Sequence, residues 1–484
     1  MTITGALNNA MSGLRAAGYA SQVVSSNLSN ALTPGYARRS LELSSSALGG
    51  NGGVRVDGQI RHVDPGLLAD RQMASASFGN NRDTTAFLSE LERLLGTPDQ
   101  AGSLAGRIAG FESSLITAAS RPDAPDRLSS AVNAARDLAD TISNAASGIQ
   151  EQRTRADRSI NAQVTRLNGA LEELQALNGQ ITATRVQGGD DAALQDHRQR
   201  LVDEVSEMVP VRTVPRANGA IALYTNGGAS LLDGKAAEIG FEPVNLVVSG
   251  LSIESGSLSG LTVNGNSVRT SSDRGALSGG TLAAQFEIRD ELAPEAEVNL
   301  DTVARDLIER FQDSGVDPTL AAGAAGLFTD AGAVFDAANE AGISSRLSLN
   351  DLVDPDQGGD ASRIRDGLGS VVPGNVGDAR LLQALGDALT VSRVPASGSF
   401  GSGAFNASGL TTSMMSQIAV DRTNSEQHLS FASSMLNELT NQELAQGVDS
   451  DAELQRLILI EQAYAANARM IQTVDEMMQT LLRI

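Results

Sequence analysis

The chain has 484 residues and a formal net charge of −22, from 58 acidic and 36 basic side chains, so it repels a phosphate backbone and nucleic acid is a poor partner. Its only lysine is Lys235, and the absence of cysteine excludes disulfides, thiolate metal sites and thiol nucleophiles. Aromatics make up 3% and tryptophan is missing, which argues against an aromatic-lined ligand pocket; the length allows two to four domains.

The first stretch, residues 2–32, places Ile3, Leu7, Ala10, Leu14, Ala17, Val24, Leu28 and Ala31 at steps of three and four, with Ser21 in the gap. That spacing predicts a helix with the a/d seam of a coiled coil. Gly5, Gly13 and Gly18 each cost about 1 kcal/mol against alanine, so this helix needs a packing partner to persist. Pro34 pushes Thr33 out of the helical region, and Pro34-Gly35 has the order of a type II turn with positive φ at Gly35, so the chain reverses before Tyr36. Residues 36–66 then form a β excursion. Ser40–Leu43 and Val54–Asp57 alternate around the Gly49–Gly53 cluster, a hairpin loop lacking the G-x-x-x-x-G-K-[ST] order of a phosphate cradle.

Helices are predicted over Leu67–Leu95, Ala101–Ser120 and, after the break at Arg121–Pro125, a long segment to Gly188 whose seam is Ile160, Val164, Leu167, Leu171, Leu174 and Ile181 with Asn178 inside it. Ala192–Met208 is a further helix. Residues 209–280 read as a small all-β domain, with strands at 211–214, 220–224, 246–248 and 261–263 punctuated by Asn218-Gly219, Asn226-Gly227, Asp233-Gly234 and Asn264-Gly265. Helix returns over Thr281–Phe311, and residues 316–396 read as an irregular or reduced outer subdomain. Leu410–Gln446 is helical. The last stretch repeats the seam with Leu457, Ile460, Tyr464, Ile471, Val474, Met478 and Leu481, Asn467 filling its gap. Two seams at opposite ends mean that the termini pair with each other or with copies of themselves, or else form two amphipathic helices docked on a core.

The fold class is therefore mainly α with inserted β structure. Residues 1–35 and 447–484 are expected to form a terminal coiled-coil domain, and 36–208 with part of 281–446 a helical rod domain. Neither a catalytic, a cofactor-binding nor a metal-binding set emerges. His62, His197 and His428 stand far apart, and Asp354, Asp356 and Gly359 open like a calcium loop that fails at Gly358 and Arg365. There is no G-x-S-x-G elbow or S-x-x-K pair. No apolar run reaches the ~18 residues of a membrane helix, and the start lacks the pattern of a cleaved signal peptide.

Asn27-Leu28-Ser29-Asn30-Ala31-Leu32-Thr33-Pro34-Gly35-Tyr36 resembles the N-terminal signature of bacterial flagellar axial proteins, and Glu461–Met477 resembles their closing helix. Tyr36-Ala37-Arg38-Arg39 is similar to the Tyr-x-Arg-Gln of the FlgK family of hook-associated proteins, departing at Arg39. Leu194-Gln195-Asp196-His197-Arg198-Gln199 is similar to that family's Leu-x-Asp-x-Arg-Asp block, departing at Gln199. The resemblance covers residues 1–230 and 400–484. It implies an elongated, non-enzymatic subunit of the hook–filament junction, on the flagellum outside the cell, exported through the flagellar type III apparatus without signal cleavage. Implied partners are copies of itself in a ring or tube, the hook subunit, the second hook-associated protein with the flagellin filament, and an export chaperone on roughly 454–482. The assembly residues implied are the two seams with Pro34, Gly35 and Tyr36. A hook or distal-rod subunit is the alternative, disfavoured by the long helical middle. An enzyme or adhesin on an axial scaffold would need a site in 211–400.

Overall fold

The computed structural model describes residues 3–33, 35–45, 52–270, 275–313 and 315–483. Helix α1 (Ile3–Ser29) ends in a turn in which the Tyr36 N–H donates to the Thr33 carbonyl at 3.1 Å and Gly35 has φ of 76°. Pro34 lies outside the described residues, as does all of the expected Gly49–Gly53 loop except Gly52 and Gly53. Strands β1 (Arg39–Ser45) and β2 (Val54–Arg61) form an antiparallel ribbon with a bulge. Glu42 pairs with Gly58 but Leu43 with Val56, leaving Asp57 as the extra residue. Side chains alternate along a strand, so this one residue is what puts Val56 on the same face as Arg61. The ribbon runs back along α1, where the Val54 N–H donates to Ser12 Oγ at 3.2 Å.

Helix α2 (Pro65–Leu95) starts at Asp64, whose carboxylate accepts from the Gly66 and Leu67 N–H groups while Pro65 takes the first helical position. Helices α3 (Leu104–Ser120), α4 (Pro125–Val186) and α5 (Ala192–Met208) follow. At 62 residues α4 is about 90 Å long and serves two cores in succession. Its first half, from Leu128 to Ala156, packs with α2 and α3; its second half buries the predicted seam from Ile160 to Ile181 against α5 and a β module.

That module holds β3 (Val211–Pro215), β4 (Ile221–Thr225), β5 (Ser230–Asp233) and β6 (Lys235–Ala236) in one antiparallel sheet, and β7 (Ile239–Gly240), β8 (Leu261–Val263) and β9 (Asn266–Val268) in another. The Asn264-Gly265 turn has φ of 51° and 78° and joins β8 to β9 as the sequence predicts. The strand expected at 246–248 does not form. There the Val247 N–H donates to Thr154 Oγ1 at 3.1 Å and the Val248 carbonyl accepts from Arg153 at 3.4 Å, so α4 side chains take the place of a neighbouring strand.

The expected helix 281–311 is α6 (Gly280–Glu287) and α7 (Ala293–Gln312) joined through a π turn, Ile288–Leu292, where the Ala293 N–H donates to the Ile288 carbonyl. Pro294 has no N–H to continue an ordinary ladder, and the wider turn accommodates it. The turn lies where the helix passes from one core to the other. There the fully buried Arg289 pairs with the fully buried Asp157 at 2.7 Å and stacks over Phe286 and Phe241, 4.9 and 5.5 Å from their ring centres.

Residues 316–396 contain β10 (Phe328–Asp330), α8 (Ile343–Arg346), β11 (Leu347–Leu349), α9 (Arg363–Asp366) and α10 (Arg380–Thr390). Their apolar side chains, among them Phe328, Ile343 and Leu385, enter the same core as α3 and α7. Helix α11 (Ala407–Ala445) then runs antiparallel to α2, tied by Thr85 to Ser425 at 2.6 Å and Arg422 to Glu92 at 3.0 Å. Helix α12 (Ser450–Leu482) runs back along α1.

Candidate functional site at the terminal helix joint

The two terminal helices are antiparallel neighbours: Gly13 faces Asn467, and Asn27 faces Glu453. Of the seam residues, Val24 and Val474 are buried, and Ile3, Leu7, Leu14, Leu457, Ile460, Asn467 and Ile471 are half-buried between the helices and their surroundings. Leu28, Tyr464, Met478 and Leu481 face solvent instead. Met478 and Leu481 do so because Asn467 already stands opposite Gly13, so the end of α12 overruns the first described residues of α1. On α1 the buried face also takes in Gly5, Ala10, Ala16, Ala17 and Val23, mostly small side chains that let α12 approach closely. Together with Met11, Tyr19, Leu454, Ile458, Leu459, Met470, Met477 and Leu482, the displaced seam residues give the pair an apolar outer surface.

At the base of the pair lies a buried polar joint. Asn27 is fully buried and uses every hydrogen-bonding position it has. Its amide donates to the Arg39 carbonyl at 2.8 Å and to Glu453 Oε2 at 3.1 Å; its carbonyl accepts from the Tyr36 hydroxyl at 2.8 Å and the Arg39 N–H at 3.0 Å. Glu453, in the first turn of α12, also accepts from Arg38 at 2.9 Å and Arg456 at 3.0 Å. One side chain thus holds the end of α1, the start of β1 and the start of α12 in fixed relation.

Asp196 on α5 takes the other side of the same segment. Its carboxylate pairs with Arg39 and, at 2.6 Å, with Arg61, while the Arg39 guanidinium lies 4.8 Å from the Tyr36 ring centre. Gly35 lies against α5 as well: a methyl group built on it would stand 2.8 Å from Arg200 Cγ, so glycine is required there for space as well as for its positive φ. Arg198 points the opposite way and donates to Asn178 at 3.2 Å and to the Gly219 carbonyl at 2.7 Å. Burial, with Arg185 and Arg61 nearby, lowers its pKa to about 10. Asn178 in turn brackets Ile221, accepting from its N–H at 3.1 Å and donating to its carbonyl at 2.8 Å. The Leu194–Gln199 block therefore fastens the terminal joint to α5 with one residue and the β module to α4 with another.

The seam pattern carries no sign of Asn27, Arg39, Arg61, Asp196 or Glu453. Asn27, Arg39 and Asp196 do lie inside the stretches that resemble a family, and that is the available signal; Arg61 and Glu453 sit in ordinary surface-like sequence. Elsewhere the chemistry is that of paired charges. Asp354 and Asp356 both bind Arg136, the latter at 2.6 Å, which explains the failed calcium-loop pattern. His197 faces Glu173 at 3.2 Å and His62 faces Ser40 at 2.7 Å. Among the described residues no group of three His, Asp or Glu could hold a metal ion, and no helix is long and apolar enough to cross a membrane.

Residues 88–326 match the family of the flagellar hook-associated protein FlgK helical domain, and residues 445–484 match the flagellar basal body rod FlgEFG protein C-terminal family. Flagellar hook-associated protein 1 of Salmonella typhimurium is 29% identical over 241 residues, 48% of this chain and 43% of that protein. The chain thus spans less than half the length of this relative. The Bacillus subtilis protein of the same name is 22% identical over 508 residues, 98% of this chain and 97% of its own. The structure of the flagellar hook junction protein FlgK from Burkholderia pseudomallei aligns with a TM-score of 0.44 at 18% identity, covering 55% of this chain and 46% of that one.

Proposed function

The chain belongs to the FlgK family of flagellar hook-associated proteins, and on that premise we propose that it is a structural subunit of the hook–filament junction. The observation that carries this reading is the joint of Asn27, Asp196 and Glu453, which holds an antiparallel helix pair against a rigid rod domain while the pair's outer apolar face stays uncovered. Such a pair stabilises an assembly by burying that face against its neighbours. Copies of the chain form a ring or tube through their coiled-coil terminal helices, with the seam residues and the Pro34-Gly35-Tyr36 turn at the contact. The rod domains meet the hook on one side and the second hook-associated protein and flagellin on the other. Before export the exposed, Met-containing face over 454–482 is the surface for a chaperone, and the chain leaves the cell unfolded through the flagellar type III apparatus.

The test is electron microscopy of flagellar structures from a deletion strain, with a blot for flagellin in the medium. Complete hooks without filaments, with flagellin shed as monomer, are expected. Missing hooks would shift the protein to the hook or distal rod, and normal filaments would overturn the reading.

A further inference from the structure

Six asparagines of the chain stand directly before a glycine: Asn51, Asn168, Asn178, Asn218, Asn226 and Asn264. Such an asparagine can react with its own chain. The backbone nitrogen of the next residue closes on the side-chain carbonyl carbon when nothing holds either group, and glycine, lacking a Cβ, obstructs that approach least. Asn51 lies outside the described residues. The fold treats the other five differently.

Asn168 and Asn178 stand on α4, where the following N–H belongs to the helix ladder. Their amides are also held from both ends. Asn168 accepts from the Ile239 N–H at 2.9 Å and donates to its carbonyl at 2.8 Å, the same bracket that Asn178 makes on Ile221. Asn264 is exposed, but its side-chain carbonyl accepts from the Glu238 N–H at 3.0 Å. Asn218 has no such bond and is protected by its backbone. At its φ of 54° and ψ of 30° the Gly219 nitrogen lies nearly opposite Cβ across the Cα–C bond, turned away from the side chain. Arg198 keeps it there by donating to the Gly219 carbonyl at 2.7 Å.

Asn226 has none of these restraints. It and Gly227 are exposed at the tip between β4 and β5, and its backbone is not left-handed. Among the described residues neither its side chain nor the Gly227 N–H forms a hydrogen bond. The turn around the pair is fixed nonetheless: the Asn226 N–H donates to the Pro210 carbonyl at 3.3 Å and the Gly228 N–H to the Thr225 carbonyl at 3.0 Å.

We propose that Asn226 is a self-modification site, converted by its own chain and water to aspartate and isoaspartate. The Gly227 nitrogen gives its proton to hydroxide and bonds to Asn226 Cγ. The Cγ–Nδ2 bond then breaks, and Nδ2 leaves as ammonia with a proton from water, which regenerates the hydroxide. Water opens the resulting five-membered imide. Breaking its bond at Cγ leaves aspartate; breaking it at the main-chain carbonyl leaves isoaspartate, with the chain running through Cβ and Cγ. One water enters and one ammonia leaves, with no oxidant or reductant. The product adds a negative charge at a tight contact, where a Cβ on Gly227 would stand 2.4 Å from the Gly275 carbonyl oxygen. The site stands apart from the assembly role proposed above.

The test holds the folded full-length chain in mildly alkaline buffer and maps its peptides by mass spectrometry over time. Replacement of the amide NH2 by OH is read as a gain in mass, and isoaspartate separately by enzymatic methyl transfer to its carboxylate. Asn226 is expected to convert about tenfold or more faster than any of the other four described asparagines, which must first break a hydrogen bond or leave their turn. Its conversion should quicken with rising pH, because hydroxide takes the Gly227 proton. In denaturant the five rates should converge. Asn226→Gln should remove the signal while circular dichroism stays unchanged. Asn218 or Asn264 converting as fast as Asn226 overturns the proposal. So does a lead of Asn226 that persists in denaturant, or a folded Asn226 that stays intact while the unfolded chain reacts.

Discussion

Gly13 and Asn467 face each other across the terminal helix pair so closely that a methyl group on Gly13 would stand 2.8 Å from the Asn467 amide nitrogen. That amide is held in place by its bond to the Ala463 carbonyl at 2.9 Å. Gly18, by contrast, has nothing within 4 Å of where its methyl would stand. The two glycines therefore separate helix propensity from packing. Gly18→Ala is expected to stabilise α1 by about 1 kcal/mol. Gly13→Ala should lose that gain to the clash, and adding Asn467→Ala should restore it. Hydrogen exchange of the α1 amides measures all three.

Val474 is the one buried apolar residue of α12. Val474→Asp places a carboxylate at a buried position of the seam and is expected to release the pair, with unpaired desolvation costing a few kcal/mol. The rod domain should keep its circular dichroism and its melting transition while α1 and α12 lose protection. Unchanged protection there would mean that the pair does not depend on this seam.

Removing the Asp196 carboxylate leaves Arg39 and Arg61 largely buried without a counter-charge. Asp196→Ala is expected to cost about 3 to 5 kcal/mol, the range for breaking a buried pair from one side. The loss should appear first as proteolysis around residues 36–62 rather than as melting of α4. Asp196→Asn, which keeps the shape and one acceptor, should fall between wild type and alanine.

Arg289 and Asp157 form the pair at the border between the two cores. Arg289→Met strands the Asp157 charge and should destabilise by several kcal/mol; Arg289→Met with Asp157→Asn should recover part of that loss, because the remaining amide still accepts from the Val244 N–H that Asp157 binds at 2.7 Å. Denaturant titration of the single and double variants gives the coupling directly.

The Asp301 carboxyl is pushed up to about 6 by burial, despite accepting from the Ser344 hydroxyl and from the Gly342 and Ser344 N–H groups. A folded-state value above the ordinary carboxylate value means that the native state holds this proton more tightly than the unfolded one. Its stability contribution is thus complete below about pH 4 and is lost as pH rises through 6, by about 3 kcal/mol for a shift of this size. Asp301→Asn should flatten that part of the stability profile between pH 4 and 6 relative to wild type. Parallel profiles for the two proteins would sink the assignment.

The helices are readable because period and punctuation agree. The run from Ile160 to Ile181 is buried where its spacing places it, and Asp64-Pro65 and Pro125 start helices by removing the need for an N–H partner. Asn178 looks like a polar interruption of that run, yet it serves as the bracket for β4, a role only the folded neighbour reveals. The apolar run Leu246-Val247-Val248 misleads for a related reason: it has strand composition, but Thr154 and Arg153 satisfy its backbone from the side. The joint is invisible to periodicity because its members, Asn27, Arg39, Asp196 and Glu453, come from four elements and are polar, so each alone resembles a surface residue. The terminal seams are legible as spacing only; which members face inward depends on the antiparallel offset of α1 against α12, which no single helix encodes.

Asn27 bonded to Glu453 also means that the polypeptide leaves the helix pair and rejoins it at a single point. Apart from the β1–β2 ribbon, which lies along α1, everything between Tyr36 and Asp449 hangs from that point like a pendant on a clasp. A pendant can grow, shrink or be replaced without altering the spacing of the two helices that carry it. The clasp residues, rather than the pendant, are what an exchange of rod domains between such chains has to preserve.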